Sequence, residues 1–141
     1  MYVGDFPSEK DKIAPSLKII AIWEEAHALY PQNQQINKEL ANCYANLAWY
    51  RLFDLHFSDS EKDIHSSMAL AHIDRIESTL MLSLLYQNKT EEALAIIRTL
   101  KDQPYSKQNL WRDVFYSDLR TLLESGISCA GANAAMELLS Q

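Results

Sequence analysis

Glycine and proline are scarce in this chain: three of the first and four of the second among 141 residues, all outside the strongest apolar runs. That scarcity argues against a turn-rich sheet protein and favours helices. Cysteine is scarcer still. Cys43 and Cys129 lie far apart, which gives no disulfide framework and makes a reduced, cytoplasmic setting the simpler expectation. No block of basic residues stands out, and acidic and basic residues are interspersed around a net charge of −6, so a nucleic-acid footprint is not expected. No apolar run approaches the roughly 18 residues that span a bilayer, so no membrane partner is expected. The first residues, Met1 to Pro7, lack the basic and apolar regions of a signal peptide. Also missing are a Gly-rich phosphate loop, a Gly-x-Ser-x-Gly elbow and a His-Glu-x-x-His pair.

What is present is ordinary in amount and unusual in order. The apolar fraction of 48% and charged fraction of 23% suit a soluble globular chain. A chain of this length buries about two thirds of its unfolded surface and needs no metal or disulfide staple. Within it, one pattern occurs twice. Asn46 to Phe53, a break, then Phe57 to Glu61 is followed by Thr79 to Tyr86, a break, then Thr90 to Leu94. Leu47 and Leu80, Phe53 and Tyr86, Phe57 and Thr90, and Ser60 and Ala93 all stand 33 residues apart. A fixed period of that size marks a helical repeat, in which each unit buries its apolar face on its neighbours.

Apolar spacing predicts the helices. Pro15-Ser16 opens one that carries Leu17, Ile20, Trp23 and Leu29 and stops at Pro31. The next, about Gln35 to Asp54, has two stripes: Ile36, Leu40, Cys43, Tyr44, Leu47 and Ala48 on one side, Ala45, Trp49, Leu52 and Phe53 on the other. Two stripes imply neighbours on two sides. Ser58-x-x-Glu61 predicts a capping box for a helix over about Asp59 to His72. A third full helix is expected over Ile73 to Tyr86. Asn88 then takes a left-handed turn position, and Thr90 caps a helix that ends at Asp102-Gln103-Pro104. Ser106 or Lys107 to Glu124 reads as another helix with Gly126 just past its end. Ala132 to Leu139 reads as a short last one.

The residues Asn46-Leu47-Ala48, Phe57 and Ser60, with Leu80-Met81, Thr90 to Ala93 and Ile97, resemble the tetratricopeptide repeat family, a stack of helix-turn-helix units of about 34 residues. Trp23-x-x-Ala26 and Tyr30-Pro31 look like the end of a preceding unit, and Trp111 and Val114 like the opening of a following one. The resemblance implies an all-α fold, a short right-handed α-α superhelix of about six or seven helices. Residues 16–125 form the repeats, 1–15 an N-terminal segment that is loose or partly helical, and 126–141 a turn and capping helix. Residues 16–30 read as half a unit, whose partner comes from 1–14 or from a longer protein. Departures from the family pattern are Met81, Ser60, Arg51 and Asn88.

In that family the first helix of each unit lines a concave groove for a peptide or a partner helix. Carried over residue by residue, the resemblance implies partner-binding positions at Asn42, Trp49 and Phe53 on one helix and at Arg75, Leu82 and Tyr86 on the next. The surface is aromatic, which suits an apolar peptide or amphipathic helix. Against this stands the reading in which Trp49, Phe53 and Tyr86 are covered by the chain itself or by a second copy. His27, His56, His65 and His72 have no metal-ligand spacing, so no metal or cofactor is expected. Cys43 reads as a small core residue and Cys129 as a turn residue open to solvent. Glu24-Glu25 and Glu91-Glu92 read as solvated charges. The expectation is therefore a non-enzymatic scaffold for another protein. The alternatives are a regulatory arm of a larger protein and a small self-associating, chaperone-like homodimer.

Overall fold

The computed structural model describes residues 8–141. The described residues form seven α-helices and no strand: α1 (Ile13–Leu29), α2 (Gln34–Phe53), α3 (Phe57–Leu70), α4 (Ile76–Tyr86), α5 (Thr90–Leu100), α6 (Trp111–Glu124) and α7 (Ala132–Leu139). A 3-10 turn over Glu9–Lys12 precedes α1. The protein is all-α, as its apolar spacing predicts. Contacts divide it into two compact units, residues 1–76 and 77–141.

In the first unit, Pro15 falls in the first turn of α1, where its missing N–H costs no helical hydrogen bond. Asn33 caps α2 by accepting the Ile36 N–H at 3.0 Å. Ile20, Leu40 and Leu47 form the α1–α2 core, with Ile13, Trp23, Cys43, Tyr44 and Leu70 against it. The α2–α3 hairpin is closer. Ser60 Oγ donates to the Ala48 carbonyl and Ser67 Oγ to the Ala41 carbonyl, both at 2.7 Å and all four residues fully buried. Two small residues per helix, seven apart, let the backbones approach until a serine hydroxyl spans the gap. Arg51 Nε and Asp63 Oδ2 pair at 2.6 Å across the same hairpin. The burial of Asp63 raises its pKa, and Arg51 works against that rise.

The turn between α2 and α3 differs from expectation. Leu55 is left-handed (φ 62°). His56 N–H reaches the Arg51 carbonyl and Leu55 N–H the Leu52 carbonyl, the paired closure of a Schellman turn. This starts α3 at Phe57, so Ser58 lies inside the helix and the Ser58–Glu61 capping box does not form. Glu61 instead lies 3.4 Å from His65.

In the second unit, Asn88 is left-handed (φ 63°) as expected, with Lys89 N–H on the Leu84 carbonyl and Asn88 N–H on Leu85. This is the closure made at Leu55, 33 residues earlier. Thr90 is the first helical residue and makes no cap bond. α4 starts at Ile76, later than Ile73, because Arg75 is left-handed (φ 67°). α6 starts at Trp111, later than Ser106: the Ser106 hydroxyl accepts the Gln108 and Asn109 N–H groups and holds a turn there. Gly126 (φ 85°) ends α6 with Ile127 N–H on the Leu122 carbonyl. α7 spans the expected residues. Arg112 of α6 donates to the Leu139 and Gln141 carbonyls and pairs with Asp102.

Candidate functional site

The candidate site begins on α2, whose two stripes face different surroundings. Leu40, Ala41, Leu47, Ala48 and Leu52 are buried. Asn42, Ala45, Trp49 and Phe53, spaced by three and four residues, share another face. On it Asn42 is exposed and the other three are half-buried. Trp49 and Phe53 make an edge-on pair, 5.2 Å between centroids and 70° between planes.

The chain's own beginning touches this face. Trp49 Nε1–H donates to Glu9 Oε2 at 3.1 Å, and Glu9 Oε1 accepts Lys12 Nζ at 2.8 Å. The Lys12 ammonium stands 5.5 Å from the Tyr50 ring centroid. Glu9 lies in the N-terminal segment that reads in sequence as loose or partly helical, so its role was not legible there. At the other end of the face, Asn42 lines a cavity of about 340 Å³ with Lys38, His72, Ile73 and Asp74. Arg75 is exposed and follows this lining directly in sequence.

Leu82 and Tyr86 do not line an open groove, and this corrects the assignment carried over from the resemblance. Leu82 is fully buried and Tyr86 nearly so. The α4 face that bears Ser78, Leu82 and Tyr86 turns inward within the second unit. Ser78 Oγ donates to Asp118 Oδ2 on α6 at 2.7 Å, and Tyr86 OH donates to the Ile127 carbonyl at 2.6 Å. Burial pushes the Tyr86 hydroxyl well above the usual tyrosine range. The physical reason is composition: Met81, Leu82, Leu84 and Leu85 surround α4 with apolar side chains, and all are buried. No family model, curated protein or solved structure matches the chain.

Two of the histidines have polar partners close by. His27 Nδ1 lies 2.8 Å from Asn37 Oδ1, and His56 lies 3.3 Å from Asp54 and 3.5 Å from Asp59. Among the described residues no three His, Cys, Asp or Glu side chains converge as a metal site. Cys43 and Cys129 are both half-buried, so Cys129 is less open than its turn position suggests. Burial pushes both thiols up, which makes them poor nucleophiles near neutral pH. Tyr44 OH donates to Glu24 Oε1 at 2.6 Å, and burial together with that carboxylate pushes its pKa up to about 12. No described helix is long and apolar enough to cross a membrane.

Proposed function

We propose that the chain is a non-enzymatic protein–protein interaction module. In this reading it is a tetratricopeptide-like set of hairpins, wound as a short right-handed superhelix, and it acts as a cytoplasmic scaffold. It holds a peptide or amphipathic helix of another protein along the Asn42–Phe53 face of α2, with Arg75 beyond one end. The observation that carries the reading is the 33-residue recurrence of one hairpin: helix ends at Phe53 and Tyr86, left-handed residues at Leu55 and Asn88, helix starts at Phe57 and Thr90. Identical turn chemistry at a fixed period is what a repeat of stacked hairpins requires. The aromatic pair Trp49–Phe53, partly exposed, supplies the rigid anchor that peptide-binding faces use. Leu82 and Tyr86 have no part in this contact, because they are enclosed.

The test is affinity capture from native extract with the wild-type chain and an Asn42→Ala/Phe53→Ala variant. The variant is first matched to wild type in helical circular dichroism and urea midpoint. A protein held by wild type and weakened roughly tenfold or more by the double substitution, the loss typical of an anchor residue, supports the reading. Recovery of the same proteins by both chains sinks it.

A further inference from the structure

Helix α1 turns an apolar face away from the core. Ile20 is 6% exposed and Trp23 half-buried, whereas Ile19 is 47%, Ile22 66% and Leu29 74% exposed. With Pro15 and the half-buried Ala26, these residues fall at positions 15, 19, 22, 26 and 29, steps of four and three that repeat. That spacing keeps one stripe in line along a helix and is the seam of a two-helix coiled contact. Among the described residues the α1 core contacts come from the side that carries Ile13, Ile20 and Trp23, not from the stripe.

The charges beside the stripe select the occupant. Lys18 and Glu25 flank it on the same side, one heptad apart, and neither makes an ion pair with a described residue. The opposite flank carries Ser16, Trp23 and Tyr30, with no charge. A parallel copy of α1 sets Lys18 and Glu25 against that uncharged flank. An antiparallel copy sets Lys18 beside Glu25 of the second molecule and Glu25 beside its Lys18, while Ile19 meets Ile22 across the seam. Flanking charges of this kind fix the orientation of paired helices. We infer that the outward face of α1 is a self-association surface on which a second copy of the chain docks antiparallel, with reciprocal Lys18–Glu25 pairs. One helix face lies at the small end of interface sizes, so the dimer is weak and concentration-dependent.

Sedimentation velocity of the full chain over a concentration series tests this. The expected result is a monomer–dimer equilibrium that Ile22→Glu weakens about tenfold or more, by placing charge in the seam. Ile22 is mostly exposed in one copy, so the helical signal stays at the wild-type level. Lys18→Glu alone and Glu25→Lys alone each face like with like, and each weakens the dimer roughly threefold to tenfold. The double variant Lys18→Glu/Glu25→Lys restores it. An equimolar mixture of the two single variants also restores it, because one copy then carries both acids and the other both bases. A monomer at every concentration overturns the inference, as does a dimer indifferent to Ile22→Glu. A dimer that ignores the charge series, or a chain that dimerises only after residues 1–7 are removed, overturns it equally.

Discussion

Leu55 holds a backbone conformation that an L-residue with a branched side chain rarely adopts. A side chain costs about 1–2 kcal/mol in the left-handed region, while glycine there adds back some chain entropy on unfolding. Leu55 is 62% exposed, so its side chain contributes little packing in exchange. Leu55→Gly is therefore expected to stabilise the fold by about 0.5–1 kcal/mol, read as a higher urea midpoint at unchanged slope. Leu55→Ala keeps the Cβ and is expected to show no such gain. A sequence cannot announce a left-handed leucine. It can announce a left-handed asparagine, and the contrast between Leu55 and Asn88 explains why one turn was placed correctly and the other began its helix late. Tyr44 offers a pH test at the same scale. Its folded-state pKa, about 12, lies above the ordinary value of 10.0. Its contribution to stability is therefore fully present below about pH 10 and is lost as the pH rises through about 12. Absorbance titration is expected to show two late-ionising tyrosines, of which Tyr44→Phe removes one and leaves Tyr86.

Helices were more legible than their ends. Most of the helices follow an apolar periodicity, and α7 falls on the expected residues, because burial of a stripe is written into spacing, whereas α4 is apolar on all sides. Ends depend on local hydrogen-bond competition, as at Ser106, or on a single backbone angle, as at Arg75. The α2–α3 contact shows what spacing leaves out. Ser60 departs from the small apolar residue of the resembled family, yet its hydroxyl reaches the Ala48 carbonyl in a fully buried gap. Such a gap admits no extra methylenes. Ser60→Leu is expected to cost roughly 1–3 kcal/mol, the range for overpacking a close contact. Ser60→Ala loses only the net value of the hydrogen bond, about 1 kcal/mol. Thermal or urea unfolding of the pair checks both the order and the sizes.

For the molecule as a whole, the candidate site was legible in part. Asn42, Trp49 and Phe53 share a helix face because their spacing says so. Leu82 and Tyr86 came from a family position rather than from their own surroundings, and the apolar run Met81-Leu82 and Leu84-Leu85 already argued that such a helix is enclosed. The stretches outside the helices also have a measurable consequence. Arg75, Lys89 and Lys107 are exposed basic residues in non-helical backbone, whereas Arg98 and Arg120 lie within α5 and α6. Proteases cut unfolded or loop backbone in preference to helix. Brief trypsin treatment is expected to cut first after Arg75, Lys89 or Lys107, with intact-mass spectrometry reading the fragments. First cuts after Arg98 or Arg120 contradict these helix assignments.

The shared turn at Leu55 and Asn88 sets a rule for changes in length. Helix end, left-handed residue, returning N–H pair and next helix start all recur at one interval. A tandem duplication of 33 residues that begins inside α2 joins helix to helix in phase and leaves both turns whole. Insertions of other lengths within these helices rotate the downstream buried face by about 100° per residue. Growth of this chain by copying is thus quantised, and the quantum is the distance from one left-handed residue to the next.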